Sequence, residues 1–433
     1  MAPPCSTPPG RTPHYARAGL PADASLLDGA AGSQCHASVV EAVSKQLAFG
    51  ANVGGQHPHS LASTAVLREA RRALGDLLHC DPDEVVFGPS ATALVVHVAR
   101  ALSETWRGGD NVVLSMARAP RPIATMSHPR DSNTTQADHD SNVQPWVLAA
   151  ERAQCAVRYV SVRADGSLDV DALECLVDAR TRLIACGLAS NGTGTLHDCH
   201  RVSELKQNAL TFFDAVHYAP HNLIDVQELH ADFLVASPYK FFGPHCGALF
   251  GKRELLSSLN PDKLRASDDG LPREDSCYLS RWELGTPNFE ALAGATAAVD
   301  YLASLGDRFG GITEDGLNRR DRLHAGFAAV GAHEHLLKRQ FLAAVREIPG
   351  VTVHGVAEVE GRAATFAVSK QDVAPAALVA HLHPLNVYVT HGTHYCPALW
   401  AALGLAEDVM RISFLHYNSC ADVERVVAGL RSA

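Results

Sequence analysis

"VASPYKFFGPHCGALFG" (residues 235–251) sets a single lysine, Lys240, between an apolar run and a glycine-rich one. A lysine at the end of a buried strand needs a partner for its amine, and the segments around it show what kind. Upstream, short apolar runs alternate with helical patterns. "EVVFG" (84–88), "NVVLS" (111–115), "VRYVSV" (157–162), "RLIACG" (182–187), "LTFFDA" (210–215), "DFLVAS" (232–237) and "GALFG" (247–251) read as strands. Helices are expected over 91–106, 169–177 and 198–207. Apolar strands alternating with helices predict an α/β fold with a mainly parallel sheet covered on both faces.

This pattern stops near Gly306, where long helical stretches take over. After "GVTVHG" (350–355) come further short strands and a closing helix, "ADVERVVAGL". The expected division is a flexible N-terminal arm over 1–25, a large domain over 26–305, and a long helix with a smaller C-terminal α/β domain over 306–433. Two stretches, 117–137 and 307–321, interrupt the rhythm and read as surface insertions.

With 433 residues, 46% of them hydrophobic, the chain can bury a large core. Its net charge of −10 is spread without a basic stripe or acidic tail, which argues against nucleic acid or an anionic membrane as partner and for a small molecule. The 11 cysteines include no C-x-x-C pair and no zinc spacing, so reduced thiols in the cytoplasm are expected, with no metal site. No apolar run is long enough to span a bilayer. The proline-rich start of the chain leaves organelle targeting open.

In open α/β sheets ligands bind beyond the carboxyl ends of the strands. Asp214 ends one strand, with His217 just beyond; Ser237 and Lys240 follow another, and Asn191 a third. Ala91 and Thr92 open the helix after "FGPS", where free N–H groups favour a phosphate. Each has a duller explanation alone: Asp214 as a turn cap, Ser237 as a helix cap, His217 as a core histidine. Together, a phosphate cradle, a carboxylate, a hydroxyl and a lysine are what pyridoxal 5′-phosphate requires. At about 3 Å and an effective dielectric near 20, an aspartate and a pyridinium attract by roughly 5 kcal/mol. Half of that is enough to keep the ring cationic at neutral pH.

The segment "DAVHYAPHNLIDVQELHADFLVASPYKFFGPHCG" (214–247) resembles the class V aminotransferase superfamily, in its cysteine-desulfurase-like branch, where Asp-x-x-His precedes Ser-x-x-Lys by about twenty residues. The resemblance extends to "LLDGAAGSQ" (26–34), "DHDSNVQPW" (138–146), "ASNGTGTLHD" (189–198), "RWELGTPNFEALAG" (281–294) and "MRISFLHYN" (410–418). It implies fold type I and a homodimer. By the same resemblance Lys240 binds the cofactor covalently and shuttles the substrate's α-proton, Asp214 pairs with the ring nitrogen, and His217 bonds the phenolic oxygen. His139 stacks on the ring. Ala91, Thr92, Ser237 and Thr286 serve the phosphate, Thr286 in the neighbouring subunit, while Asn191 and Arg411 hold the substrate carboxylate. Cys396, 15 residues before Arg411, is the expected sulfur-accepting nucleophile, with His394 lowering its pKa and a sulfur-acceptor protein downstream. Such an enzyme releases sulfur from L-cysteine or a related sulfur or selenium amino acid and forms alanine. A carbon–sulfur β-lyase, an epimerase or an aminotransferase would use the same Lys240 and Asp214, and Cys396 could equally be buried and inert.

Overall fold

The computed structural model describes residues 20–21, 23–115, 138–265, 270–271, 273, 280–311, 316–406 and 408–433. Most of the expected N-terminal arm, the insertion at 117–137, and part of that at 307–321 lie outside the described residues.

The elements run β1 (Ser25–Leu26), α1 (Ala37–Phe49), α2 (Pro58–Leu78), β2 (Val85–Gly88), α3 (Ala91–Ser103), β3 (Asn111–Ser115), α4 (Gln144–Arg152), β4 (Ala156–Val160), α5 (Val170–Leu176), β5 (Thr181–Gly187), α6 (Cys199–Leu205), β6 (Leu210–Asp214), β7 (Phe233–Ala236), β8 (Gly247–Gly251) and α7 (Arg253–Ser258). They continue through α8 (Phe289–Phe309), α9 (Arg319–Arg346), β9 (Val351–His354), β10 (Thr365–Lys370), α10 (Pro375–Leu382), β11 (Val387–Tyr388), β12 (Thr390–Gly392), α11 (Pro397–Ala402), β13 (Val409–Ser413) and α12 (Cys420–Ser432).

A seven-stranded sheet has the order β2-β8-β7-β6-β5-β3-β4. Only β8 runs against its neighbours, β2 and β7; the other pairs are parallel. All seven expected strands are present. Their apolar runs are explained by burial on both faces. Along β5, Leu183 and Ala185 face one core while Ile184 and Cys186 face the other, and β6 divides Phe212 from Phe213 in the same way.

The C-terminal unit is an antiparallel sheet, β12-β13-β10-β9. It closes on α10, α12 and the end of α9 over a third core containing Phe341, Phe366, Phe414 and Leu430. Its limits differ from the expected division in two ways. The 305/306 junction falls inside α8, whose apolar face continues through Leu302 and Leu305. At the other end, β1 pairs with β11 and Leu27 enters the third core, so the first described strand joins the smaller unit.

Helix α9 serves both units. Leu323, Phe327 and Val330 enter the first core, and Leu337, Phe341 and Val345 the third. Between them the stripe is broken by buried Glu334, which binds His221 Nδ1 at 2.8 Å.

Candidate active site

Beyond the carboxyl ends of β5, β6 and β7, the loops line a cavity that opens to solvent. Asp214 is the last residue of β6, and a short turn after β7, Pro238–Lys240, turns the lysine side chain inward. Lys240 is only 8% exposed. Its Nζ donates to the carbonyls of Ala30 and, at 3.2 Å, Ala31. Burial, reinforced by the Arg411 charge, lowers its pKa from 10.5 to about 7, with Asp28 and Asp214 opposing the shift. A large share of the amine is therefore neutral near neutral pH, the form that attacks a carbonyl.

Asp214 is shifted the other way. Burial raises it to about 6, against the pull of the Val216 N–H at 2.8 Å and the Lys240 charge. Its neighbour Asp138 was not foreseen. This carboxyl accepts from Ser115 Oγ, from Gly187 N at 2.8 Å and from Asn142 Nδ2 at 3.1 Å. Burial first, with help from the Asp214 charge, raises it to about 7. A Cβ at Gly187 would stand 2.7 Å from Asp138 Oδ1, so this close packing requires glycine. The acid thereby ties the end of β5 to the segment carrying His139. A lone acid before a histidine resembles a turn cap; its burial was the missing signal.

His139 lines the cavity, and burial together with the Lys240 charge lowers its pKa to about 4. Its Nδ1 accepts from Ser141 N at 3.2 Å, which puts the proton of the neutral ring on Nε2. His217 also faces the cavity, buried, and neither ring nitrogen has a protein partner among the described residues. Burial holds its pKa well below the ordinary value, followed by repulsion from His221.

Ala91, Thr92, Asn191 and Ser237 complete the expected lining. Helix α3 begins here because Ser90 Oγ caps Ala93 N at 3.1 Å, leaving the N–H groups of its first turn toward the cavity. Asn191 donates through Nδ2 to His394 O at 2.7 Å, and its buried Oδ1 is unpaired among the described residues. Arg411, 4% exposed, is no surface ion pair: it donates to Asn191 O at 3.0 Å and to Asp28 at 3.2 Å. Arg411 does not itself line the cavity, and its buried Nε has no partner among the described residues.

Two further expected residues fall outside the cavity lining. Thr286 is exposed and does not line the cavity of its own chain. Cys396 lies at the start of α11 in a separate apolar cluster with Ala367, Leu399, Trp400 and Val409, wholly buried. A Cβ at Gly192 would stand 2.9 Å from its Sγ, so the thiol is pinned under the 189–195 turn. Burial raises it to about 12 despite Arg411. The expected help from His394 is corrected by the geometry: that ring bonds Val409 O at 2.8 Å, and burial drops its own pKa to about 4, so it is a neutral neighbour.

The aromatic beside His139 is instead Tyr395, its ring 5.0 Å away and its side chain at the surface. It lies in a tight turn in which Cys396 N donates to Thr393 O at 3.0 Å and both central residues, His394 (φ 50°) and Tyr395 (φ 57°), are left-handed.

The family described as aminotransferase class V matches residues 25–121, 124–309 and 322–426. The chain belongs to that family. Among curated members, a cysteine desulfurase of Pectobacterium atrosepticum is 28% identical over 421 residues, covering 94% of this chain and 92% of the relative. A probable cysteine desulfurase of Streptomyces coelicolor is 28% identical over 415 residues, covering 93% and 90%. Of solved structures, a cysteine desulfurase from Escherichia coli superposes with a TM-score of 0.76 at 25% identity over 96% of each chain. An apo cysteine desulfurase from Thermococcus onnurineus NA1 gives 0.79 at 23% identity over 95% of this chain and 94% of that one. The family's fold type I architecture is thus the one described above. Among the described residues, no helix is long and apolar enough to cross a membrane, and no group of three or more His, Cys, Asp or Glu could hold a metal.

Proposed function

We propose that this chain is a pyridoxal-phosphate enzyme of the cysteine-desulfurase type, acting on L-cysteine or a related sulfur or selenium amino acid. The observation that carries this is the buried amine of Lys240 lining one cavity with Asp214 and His217. The cavity fits the cofactor by its unfilled valences: among the described residues His217 has two unpartnered ring nitrogens and Asn191 an unpartnered oxygen, and Ala91 and Thr92 open α3 at the cavity.

Bound there, pyridoxal phosphate supplies an electron-withdrawing ring that stabilises negative charge at the substrate's Cα. Lys240 would hold the cofactor and move the proton at Cα. Asp214 would keep a proton on the ring nitrogen, His217 would donate to the phenolic oxygen, and His139 would pack against the ring. Ala91, Thr92 and Ser237 would receive the phosphate. Asn191 and Arg411 would orient the substrate carboxylate, the arginine through its bond to Asn191 O at 3.0 Å. A homodimer suits the exposure of Thr286, which is free to reach a second copy's phosphate, and a cytoplasmic setting suits the free thiols of the described cysteines.

The kinship with proteins named cysteine desulfurase supports alanine as product, with a sulfur-acceptor protein taking the sulfur. One observation favours a second reading, carbon–sulfur β-elimination: Cys396 is buried with its thiol pushed up to about 12, poorly placed as a nucleophile. The test supplies L-cysteine, L-selenocysteine and L-alanine to wild type, Lys240→Ala and Cys396→Ala, following sulfide, alanine, pyruvate and ammonia. Lys240→Ala abolishes all product. Alanine identifies desulfuration, and persulfide lost in Cys396→Ala would assign the nucleophile to that residue; pyruvate with ammonia identifies elimination. Retained turnover in Lys240→Ala overturns the reading.

A further inference from the structure

We propose that Tyr395, rather than any cysteine, meets the side chain of the bound substrate and selects for sulfur there, an inference that rests on the pyridoxal-phosphate reading above. Two independent features carry it. The first is backbone strain. Consecutive left-handed residues in a tight turn ordinarily call for glycine or asparagine, yet His394 and Tyr395 occupy these positions at φ 50° and 57°.

The turn is held there by the cavity's own residues. Asn191 Nδ2 grips His394 O at 2.7 Å, and the N–H of Asp140, next to His139, grips Tyr395 O at 2.9 Å. Asn191 and His139 both line the cavity, so the turn, which is not itself part of the lining, is tied to one lining residue and to the neighbour of another.

The second feature is the ring itself. Tyr395 is 69% exposed, an uncommon position for a large aromatic, and its ring stands 5.0 Å from that of His139 at a tilt of 36°. The next residue, Cys396, points away into packing. A substrate side chain that extends past His139 would therefore meet a phenol face, not a thiolate. Sulfur near an aromatic ring is favoured over methylene by a modest margin, which suits a thiol, thioether or disulfide substituent.

The experiment uses the full-length holoenzyme and two isosteric probes, S-methyl-L-cysteine and L-norvaline, which differ only in sulfur against methylene. Their dissociation constants are read from the first change in cofactor absorbance on rapid mixing, in wild type, Tyr395→Phe and Tyr395→Ala. Cofactor retention is measured separately by equilibrium dialysis. Wild type and Tyr395→Phe should prefer the sulfur probe about fivefold, and Tyr395→Ala should bind both equally while retaining cofactor. Cofactor binding with the preference unchanged in Tyr395→Ala, whatever its oligomeric state, overturns this inference alone. Failure of the wild type to bind pyridoxal phosphate overturns the function proposed above and this inference with it.

Discussion

Gly187 pairs with Asp214 across β5 and β6 and donates its N–H to Asp138, so two buried carboxyls share one end of the sheet. Their effect on the cofactor-free protein has a definite sign. Asp138 and Asp214 are raised from 3.8 to about 7 and about 6. Between those limits these two groups bind more protons in the folded chain, so their contribution to stability falls as pH rises from about 4 to about 7, while the buried histidines His139, His197, His394 and His416, lowered from 6.5 to about 3–4, contribute the opposite slope. Lys240 is lowered from 10.5 to about 7, so its contribution to stability grows as pH climbs from about 7 toward 10.5. Each shift is read as a difference between variant and wild type in thermal denaturation of the cofactor-free protein. Relative to wild type, Asp138→Asn should gain stability more steeply between pH 4 and 7 and Lys240→Met less steeply between pH 7 and 10.5; unchanged slopes would contradict these shifts. Lys240 and Asp214 were legible in the sequence because each interrupts an apolar run abruptly at a strand end. Asp138 was not, because only folding shows that its partners are Ser115 and Gly187. Tyr395 was hidden by its own conformation, since neither histidine nor tyrosine announces a left-handed turn.

The first turn of α3 owes its position to β8. A Cβ at Gly247 would stand 2.8 Å from Ala91 N and closer still to the Ser90 carbonyl, backbone that has nowhere to move. Gly247→Ala should push the phosphate cradle aside, costing ~1–3 kcal/mol of stability and lowering pyridoxal-phosphate affinity about tenfold or more. Denaturant titration and equilibrium dialysis measure the two effects, and an unchanged dissociation constant would show that this turn does not hold the cofactor. The strands around it could be read from apolar runs because burial on both faces leaves a continuous signal. The junction at 305/306 was misplaced because Gly306 reads as a breaker, whereas in α8 it is required: a Cβ there would meet the backbone of Arg322 and Gly326 in α9.

At the scale of the whole molecule, the two lobes are joined through Arg362. Its guanidinium, 1% exposed, donates to Thr193 O at 2.9 Å in the larger lobe and to Val356 O and Thr365 O in the smaller, and it lies 4.2 Å from the Phe366 ring centroid. Among the described residues no carboxylate pairs with it, and burial lowers its pKa to about 10. Arg362→Met fills much of the volume but strands three carbonyls, so a loss of ~2–4 kcal/mol is expected by denaturant unfolding. A loss under ~0.5 kcal/mol would mean that water replaces the arginine. Helix α9 makes the same connection mechanically. Its 28 residues form a rod of ~42 Å whose two halves insert into different cores. Such a strut leaves no natural crease between the lobes. Cutting the chain there would strand an apolar stripe on each fragment, so the two lobes should melt together, and calorimetry resolving two separate transitions would contradict this coupling.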